Sequence, residues 1–335
     1  MTTLGVIGLG RIGAFHTETL SGIDGLDGLV ITDERTDVAH AMATKYCVKA
    51  VDTVEELLSS GVDGIVVAAA TPAHAELTLA AVERGIPTFC EKPIASTAAE
   101  SARVAEVIAK SGVPVQVGYQ RRYDAAFAAA KRAVDDGTLG TLHTVRSTTM
   151  DPAPPPLDYI KTSGGIFRDC AVHDFDVLNW ITGQRAVEVY ATGTVQGDPL
   201  FAEYADVDTA AVVVTFDGGA MGIVSAARYN ARGYDCRLEV HGFDDSVVAG
   251  WDQGVPLRNV DPLNDFPSGP AHHFFMDRFT AAFRAELTEF VEVAQGGPIR
   301  GATVADAVEV AWLAEAATES LRRHAPVTIA EVRNS

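Results

Sequence analysis

The sequence has few of the residues that form covalent or metal cross-links. Only four cysteines occur in 335 residues, and they are scattered, with no C-x-x-C spacing. This pattern argues against a disulfide framework and against a structural zinc site, and it is typical of proteins in a reducing compartment. We therefore expect a cytoplasmic protein with no metal site.

Long apolar runs and net positive charge are also missing. No uncharged apolar stretch reaches the roughly 18 residues that a membrane span requires, and we expect no signal peptide. The formal net charge is −19, which argues against nucleic-acid binding because phosphates need a basic surface. These absences predict no membrane partner and no nucleic-acid partner.

The chain has the length and composition of a two-domain globular protein, with 47% hydrophobic residues. Up to about residue 120, short apolar strands alternate with helical patterns, which predicts an α/β domain with a parallel, doubly wound sheet. After that point strand patterns dominate, which predicts an α+β domain with a largely antiparallel open sheet. We predict domains at residues 1–120 and 121–335.

A glycine motif follows the first apolar strand and opens a helix. Gly8, Gly10 and Gly13 have the G-x-G-x-x-G spacing, with Arg11 and Ile12 between the last two. The first glycine permits a tight turn, the second lets the backbone approach a pyrophosphate, and the third lets helix and strand pack closely. In this context the motif predicts a Rossmann dinucleotide-binding domain.

Asp33 lies 20 positions after Gly13, at the end of the predicted second strand. An acidic residue there accepts hydrogen bonds from the adenosine ribose and repels a 2′-phosphate. The predicted cofactor is therefore NAD rather than NADP, although the nearby Arg35 weakens the exclusion of NADP.

The segment Glu91-Lys92-Pro93 ends another predicted strand of the first domain. Ligands bind at the carboxyl ends of such strands, and lysine is scarce in a chain where arginine is the commoner cation. Lys92 is therefore a candidate site residue, although most lysines considered in isolation are solvated surface residues.

A second candidate segment begins after Gly164-Gly165, where a helical pattern runs from Ile166. On one continuous helix, Asp169, His173 and Asp176 have the i, i+4 and i+7 spacing of a single face. A histidine beside a carboxylate is suited to remove a hydroxyl proton near neutral pH. Metal binding by Asp169, Cys170 and His173 is an alternative, but no other ligand cluster supports it.

Together these motifs resemble those of the glucose-fructose oxidoreductase, inositol dehydrogenase and rhizopine catabolism (Gfo/Idh/MocA) family over nearly the whole chain. The resemblance also covers Thr71-Pro72-x-His74, the segment Tyr119–Asp124 and Gly233-Tyr234-Asp235. It implies an NAD-dependent enzyme that oxidises a secondary hydroxyl of a cyclic polyol or sugar to a ketone, as inositol 2-dehydrogenases do.

The resemblance also implies roles for individual residues. It implies that Lys92, Asp169 and His173 are catalytic, with His173 as the general base and Asp169 sharing or relaying the proton. The implied substrate-binding residues are Lys92, Arg122, Asp169, His173, Asp176 and Tyr234. The implied cofactor-binding residues are Gly8, Gly10, Arg11, Ile12, Gly13, Asp33, Thr71, Pro72, His74, Glu91 and Lys92.

Residues 1–120 are thus expected to bind NAD, and residues 121–335 to bind substrate and mediate oligomerisation, with the substrate between the two. The family implies a dimer or tetramer. Two alternatives stay open at this point: a dehydrogenase of another sugar or sugar acid within the family, and a non-enzymatic NAD-binding sensor. The presence of both Lys92 and His173 argues against the sensor.

Overall fold

The computed structural model describes residues 2–335, apart from the side chain of Leu157, and Met1 lies outside the described residues. The chain forms two compact units. The first contains the chain up to Tyr123 together with Ala281–Val308, and the second contains Asp124–Thr280 and Glu309–Ser335.

Strands and helices are numbered along the whole chain. The strands are β1 (Thr3–Ile7), β2 (Gly28–Thr32), β3 (Lys49–Ala50), β4 (Gly64–Val67), β5 (Thr88–Glu91), β6 (Val115–Gly118), β7 (Leu142–Met150), β8 (Ala186–Thr194), β9 (Thr209–Phe216), β10 (Met221–Ala227), β11 (Asp235–Gly242), β12 (Ser246–Ala249), β13 (Ala302–Thr303) and β14 (Val327–Thr328). The helices are α1 (Arg11–Leu20), α2 (Thr36–Tyr46), α3 (Val54–Leu58), α4 (Thr71–Glu83), α5 (Ala98–Ser111), α6 (Ala125–Asp135), α7 (Leu157–Ile160), α8 (Ile166–Asp169), α9 (Val172–Thr182), α10 (Leu200–Glu203), α11 (Phe275–Arg278), α12 (Thr280–Ala294), α13 (Val304–Arg323) and α14 (Ile329–Arg333).

The sheet of the first unit has the order β13-β6-β5-β4-β1-β2-β3. All its neighbouring strands are parallel except the edge pair of β13 and β6. Every residue of β4 and β5 is buried, as expected for central strands that helices cover on both faces. The predicted doubly wound parallel sheet is confirmed. Its carboxyl-terminal edge carries the candidate site residues of this unit.

A late segment of the chain completes the core of the first unit. Leu287, Phe290 and Val293 of α12 belong to the same buried cluster as Leu4 and Val6 of β1. A single boundary after residue 120 therefore does not describe the molecule, because α12 and β13 pack with the first unit. The apolar face of α12 accounts for this return: its buried side chains need the apolar surface that the first sheet offers.

The sheet of the second unit has the order β12-β11-β7-β10-β9-β8-β14. Only β10 and β7 pair in parallel, and the other neighbours are antiparallel. Along β9, buried and exposed residues alternate without interruption, which shows that one sheet face is covered and the other is open. The predicted largely antiparallel open sheet is confirmed. Among the described residues, no helix is long and apolar enough to cross a membrane.

The helix predicted to run without a break from Ile166 is interrupted. Helix α8 ends at Asp169, and α9 starts three residues later. The N–H groups of both Cys170 and Ala171 donate to the carbonyl oxygen of Ile166, at 3.0 and 2.8 Å. Such a doubled bond inserts extra backbone into the helical repeat and rotates the following residues. The prediction that Asp169, His173 and Asp176 share one face of a continuous helix is therefore wrong.

Candidate active site

The glycine loop has the close contacts that its sequence predicts. Gly8 has a φ of +90°, and a Cβ placed on it would lie 2.5 Å from the backbone nitrogen of Ala69. A Cβ on Gly13 would lie 1.9 Å from the carbonyl oxygen of Gly8. Gly10 is different, because a Cβ there meets no atom within 4 Å. The loop is therefore packed tightly at Gly8 and Gly13 and open at Gly10.

Gly10 is the N-cap residue of α1, and no side chain caps this helix end. Arg11 and Ile12 form its first turn; Arg11 is exposed, whereas Ile12 packs against the core cluster. The open space at Gly10 and the N–H groups of the first turn form a site suited to the negative charge of a pyrophosphate.

Asp33 lies beside the glycine loop, immediately after β2. Its Oδ2 accepts a hydrogen bond from the backbone N–H of Leu9 at 2.6 Å, and its Oδ1 accepts one from the N–H of Arg35 at 2.9 Å. A carboxylate has about four acceptor positions, so these two bonds leave capacity for ribose hydroxyls. The Arg35 guanidinium is largely exposed, with its Nε 3.5 Å from Oδ1 of Asp33. These residues fit an NAD cofactor.

Thr71 and Pro72 begin α4, where Thr71 is half-buried and Pro72 is exposed. His74, one turn further, is buried. Its Nδ1 lies 2.7 Å from the carbonyl oxygen of Pro93, and its Nε2 lies 3.0 Å from that of Ala69. Burial lowers the pKa of His74, but the neighbouring Cys90 and the two carbonyl oxygens outweigh burial and raise the pKa to about 9. Its imidazole therefore contacts the protein through both nitrogens.

Glu91 and Lys92 follow directly on the buried part of β5. Oε1 of Glu91 lies 2.6 Å from Nε2 of His16, a fully buried residue of α1. Burial raises the pKa of Glu91, but the hydrogen bond and charge of His16 outweigh burial, and the net shift is downward. Lys92 is half-buried, and its backbone N–H donates to Oε2 of Glu91 at 3.3 Å. Sequence reasoning missed His16, although a histidine on the inward face of α1 was a usable signal.

In the second unit, Asp169 is held by two hydrogen-bond donors. The hydroxyl of Tyr159 donates to its Oδ1 at 2.9 Å, and Nη1 of Arg228 lies 2.8 Å from its Oδ2. Asp151 forms an ion pair with the same guanidinium group, with its Oδ2 3.7 Å from Nη1 of Arg228. Arg228 is almost fully buried. Asp169 is therefore oriented through both of its oxygens, and Arg228 is a site residue that sequence reasoning missed.

A third carboxylate, Asp206, approaches the same region. It accepts a hydrogen bond from the N–H of Ile166 at 2.9 Å. Burial raises the pKa of Asp206, while Arg228 opposes the shift and Asp169 adds to it. The surroundings of Asp169 thus carry more carboxylates than guanidinium groups.

His173 is half-buried in the first turn of α9, whereas Asp176 is fully buried. Between them, Asp174 points into the protein and accepts hydrogen bonds from the hydroxyls of Ser147 and Thr149, at 2.5 and 2.8 Å. The break in the helix separates Asp169 from the regular part of α9, so the sequence spacing does not define how Asp169 and His173 face each other.

Cys170, which lies in this break, is buried. Burial raises the pKa of its thiol well above the usual value, and the Asp151 carboxylate adds to the shift. A thiol that stays protonated is a poor metal ligand, because metals bind the thiolate. Within residues 2–335, no group of three histidine, cysteine or acidic residues is placed to hold a metal ion.

Two further predicted site residues have clear protein contacts. Arg122 lies 3.4 Å from Asp306 through Nη2 and Oδ1, within the first unit, and its side chain is nearly buried. Tyr234 is buried in the second unit, with its ring 6.5 Å from that of Phe275 and 6.3 Å from that of Phe279.

Comparison with known proteins identifies the families of the two parts of the chain. Residues 2–119 match a model described as the oxidoreductase family with an NAD-binding Rossmann fold. Residues 127–248 match the model of the GFO/IDH/MocA C-terminal domain. The fold and the glycine loop thus define an NAD-binding oxidoreductase. More specifically, the chain belongs to the Gfo/Idh/MocA oxidoreductase family, so the predicted family, fold class and NAD cofactor are confirmed.

Relatives of this family match almost the entire chain. The myo-inositol 2-dehydrogenase of Thermotoga maritima is 38% identical over 331 residues, which cover 98% of this chain and 99% of the relative. The crystal structure of a probable dehydrogenase from Thermotoga maritima has a TM-score of 0.91 at 37% identity, covering 98% and 99% of the two chains. A scyllo-inositol dehydrogenase from Lactobacillus casei, crystallised with NAD(H) and scyllo-inositol, has a TM-score of 0.90 at 25% identity, covering 98% and 99%.

Proposed function

We propose that this enzyme oxidises one secondary hydroxyl of an inositol-type cyclic polyol to a ketone. The observation that carries the proposal is the ion pair of Asp169 and Arg228, which lies next in sequence to the segment of His173. It occurs in a chain that is similar over nearly its full length to a myo-inositol 2-dehydrogenase. The buried guanidinium of Arg228 and the hydroxyl of Tyr159 orient Asp169, and an oriented carboxylate next to a histidine segment is suited to hydroxyl chemistry.

In the proposed reaction, NAD supplies the hydride acceptor when it is bound. His173 removes the hydroxyl proton, and Asp169 shares that proton. Lys92 donates a hydrogen bond to the same oxygen and stabilises the negative charge that develops on it. The hydroxyl proton is retained on His173 before it is released to solvent, so the polyol loses one proton and one hydride.

We assign the remaining predicted site residues by the same reasoning. Asp176, Arg122 and Tyr234 are proposed to contact the polyol. The cofactor-binding set is proposed to comprise Gly8, Gly10, Arg11, Ile12, Gly13, Asp33, Thr71, Pro72, Glu91 and Lys92, with His74 in the same region.

The charge around Asp169 favours a neutral substrate over a sugar acid. Asp151, Asp169 and Asp206 surround one guanidinium, that of Arg228. A substrate carboxylate would meet these like charges, which is unfavourable where solvent is scarce. This argues against the second candidate, a sugar-acid dehydrogenase of the same family, and leaves neutral pyranoses as the competing substrates.

We further propose that the protein is a homo-oligomer, dimer or tetramer, that works in the cytoplasm. The open face of the second sheet supports self-association, because Tyr190, Val213 and Met221 are large, exposed apolar residues on it. The four free cysteines fit a reducing compartment. Light scattering of the wild type and of Val213→Glu tests the assembly: the wild type is expected to be oligomeric and the variant dissociated.

A substrate panel tests the proposed activity. Purified protein is incubated with NAD and, in separate reactions, with myo-inositol, scyllo-inositol, glucose and glucuronate, and NADH formation is followed at 340 nm. The proposal expects the highest kcat/KM with an inositol and the lowest with glucuronate. NADH formation with neither inositol would contradict the proposed inositol activity.

A further inference from the structure

The residues on both sides of Lys92 are held by buried histidines of the first unit. We infer that His74 and His16 are positioning residues that fix Lys92 relative to the glycine loop. The inference rests on the proposed role of Lys92 in the reaction. It concerns the contacts that His74 and His16 make with the residues on either side of Lys92.

His74 holds the residue that follows Lys92. Its Nδ1 lies 2.7 Å from the carbonyl oxygen of Pro93, and its Nε2 lies 3.0 Å from that of Ala69. Carbonyl oxygens only accept hydrogen bonds, so both ring nitrogens must carry a proton for both bonds to form. The geometry thus requires an imidazolium, which binds the two carbonyl oxygens through charge-assisted bonds.

The second bond of His74 reaches the glycine loop. Ala69 packs so closely on this loop that a Cβ on Gly8 would lie 2.5 Å from the Ala69 nitrogen. One side chain therefore connects the backbone after Lys92 to the backbone that supports the pyrophosphate loop. A shift of either segment would stretch a charge-assisted hydrogen bond in a buried position, where such bonds are strong.

His16 holds the residue that precedes Lys92. Its Nε2 lies 2.6 Å from Oε1 of Glu91, and Oε2 of Glu91 accepts the backbone N–H of Lys92 at 3.3 Å. The His16 ring is packed between Phe89 and Phe283, with centroids 5.8 Å away in each case. The His16 end of this pair is fully buried and that of Glu91 is largely buried, which favours one orientation of the Glu91 carboxylate.

Neither histidine is placed to exchange a proton with a substrate. His74 is 2% exposed and His16 is 0% exposed, and both nitrogens of His74 contact carbonyl oxygens. The ionisable groups that interact with His74 are Cys90 and Glu91, both on β5. Burial lowers the pKa of His74, but Cys90 and the two carbonyl oxygens outweigh burial and raise the pKa to about 9. His74 therefore stays charged at neutral pH. Its contribution is therefore orientation, which supports the rate through geometry.

A double-mutant cycle with Lys92 tests the inference. Turnover with NAD and inositol is measured for His74→Phe, for Lys92→Met and for the double variant. Because a displacement of about 1 Å at a reacting group lowers rates up to about 10²-fold, His74→Phe is expected to lower kcat about 10- to 100-fold. In the Lys92→Met background the same substitution is expected to lower kcat less than about twofold.

The conservative variant His74→Gln serves where His74→Phe folds poorly. Its amide NH₂ donates to one carbonyl but carries no charge, so its kcat should lie between those of wild type and His74→Phe. His16→Gln is expected to show the same dependence on Lys92. His40→Gln is the matched control, since His40 is exposed on α2 of the same unit, and it should keep wild-type kcat.

The possible results separate the inference from the proposed function. Equal losses of kcat in the wild-type and Lys92→Met backgrounds would overturn the inference, because a purely structural histidine acts independently of Lys92. Wild-type kcat in a folded His74→Gln or His74→Phe would overturn it as well. Wild-type kcat in Lys92→Met would instead contradict the proposed role of Lys92.

Discussion

Nη1 of Arg228 lies 2.8 Å from Oδ2 of Asp169, and the two side chains are 3% and 13% exposed. Removing one partner of such a pair leaves a buried charge without compensation, which typically costs about 3–5 kcal/mol. We predict that Arg228→Met lowers the urea midpoint of the second unit and lowers kcat, because Asp169 loses its orientation. Arg228→Lys should recover part of the urea midpoint and part of kcat, because lysine keeps the positive charge but lacks the planar guanidinium group.

The exposed pair of Arg185 and Asp217 in the same unit provides the control, with Nε and Oδ2 2.9 Å apart and Arg185 85% exposed. Because solvent screens such pairs, Arg185→Met should change stability by less than about 1 kcal/mol and leave kcat unaltered. Equal effects of Arg228→Met and Arg185→Met on both quantities would contradict a special role for Arg228.

Asp33 is predicted to exclude NADP. Its carboxylate is fixed beside the glycine loop by the N–H of Leu9 at 2.6 Å, so a ribose 2′-phosphate would meet a negative charge at short range. Asp33→Asn should raise the ratio of kcat/KM for NADP to that for NAD by about tenfold or more, equivalent to about 1.4 kcal/mol. The exposed neighbour Glu34 is the control, and Glu34→Gln should leave the ratio unchanged. Equal kcat/KM of the wild type with NAD and NADP would show that Asp33 does not discriminate between the two cofactors.

Two glycines of one loop should respond differently to the same added methyl group. A Cβ on Gly13 would lie 1.9 Å from the oxygen of Gly8, whereas one on Gly10 meets nothing within 4 Å. Gly13→Ala should therefore destabilise the fold by about 1–3 kcal/mol through overpacking. Gly10→Ala should change stability by less than about 0.5 kcal/mol, yet weaken NAD binding about tenfold or more by filling the space for the pyrophosphate. Calorimetric NAD titration and thermal unfolding separate the two effects; unchanged NAD affinity in Gly10→Ala would place the pyrophosphate elsewhere.

His74 should make stability depend on pH in the alkaline range. Its pKa is raised from 6.5 to about 9 in the folded protein, where Cys90 and the two carbonyls outweigh the burial that lowers it. A raised folded-state pKa gives stability that is fully present below pH 6.5 and is lost as the pH rises through about 9. The difference corresponds to about 3 kcal/mol. Urea midpoints at pH 6.5 and 9.5 should therefore differ more for the wild type than for His74→Gln. An equal change in midpoint for the two proteins would argue against a charged His74.

Local patterns were sufficient to predict much of the first unit. The G-x-G-x-x-G spacing, the preceding apolar strand and Asp33 lie within one strand–helix–strand unit, so neighbouring residues determine their geometry. His16 lies in the same helix, and its buried position on α1 is a signal that local reasoning can use.

The surroundings of Asp169 depend on contacts between distant segments. Ala227 of β10 pairs in parallel with Met150 of β7, and the N–H of Asp151 donates to the Ala227 oxygen at 2.9 Å. This register brings Arg228 next to Asp151, but no local pattern specifies which strands pair. The break at Cys170 and the return of α12 to the first unit likewise depend on tertiary packing, which overrides helical periodicity and sequence order.

The central claim is that His173 is the general base of an NAD-dependent polyol oxidation. The most direct test measures turnover and NAD affinity for the wild type and His173→Asn, with His324→Asn as the control; His324 is exposed and adopts a positive φ of 53°, which asparagine tolerates. The account predicts NADH formation from an inositol by the wild type and the control, and a kcat about 10²- to 10⁴-fold lower in His173→Asn with NAD affinity unchanged. Unaltered turnover in His173→Asn would contradict the account.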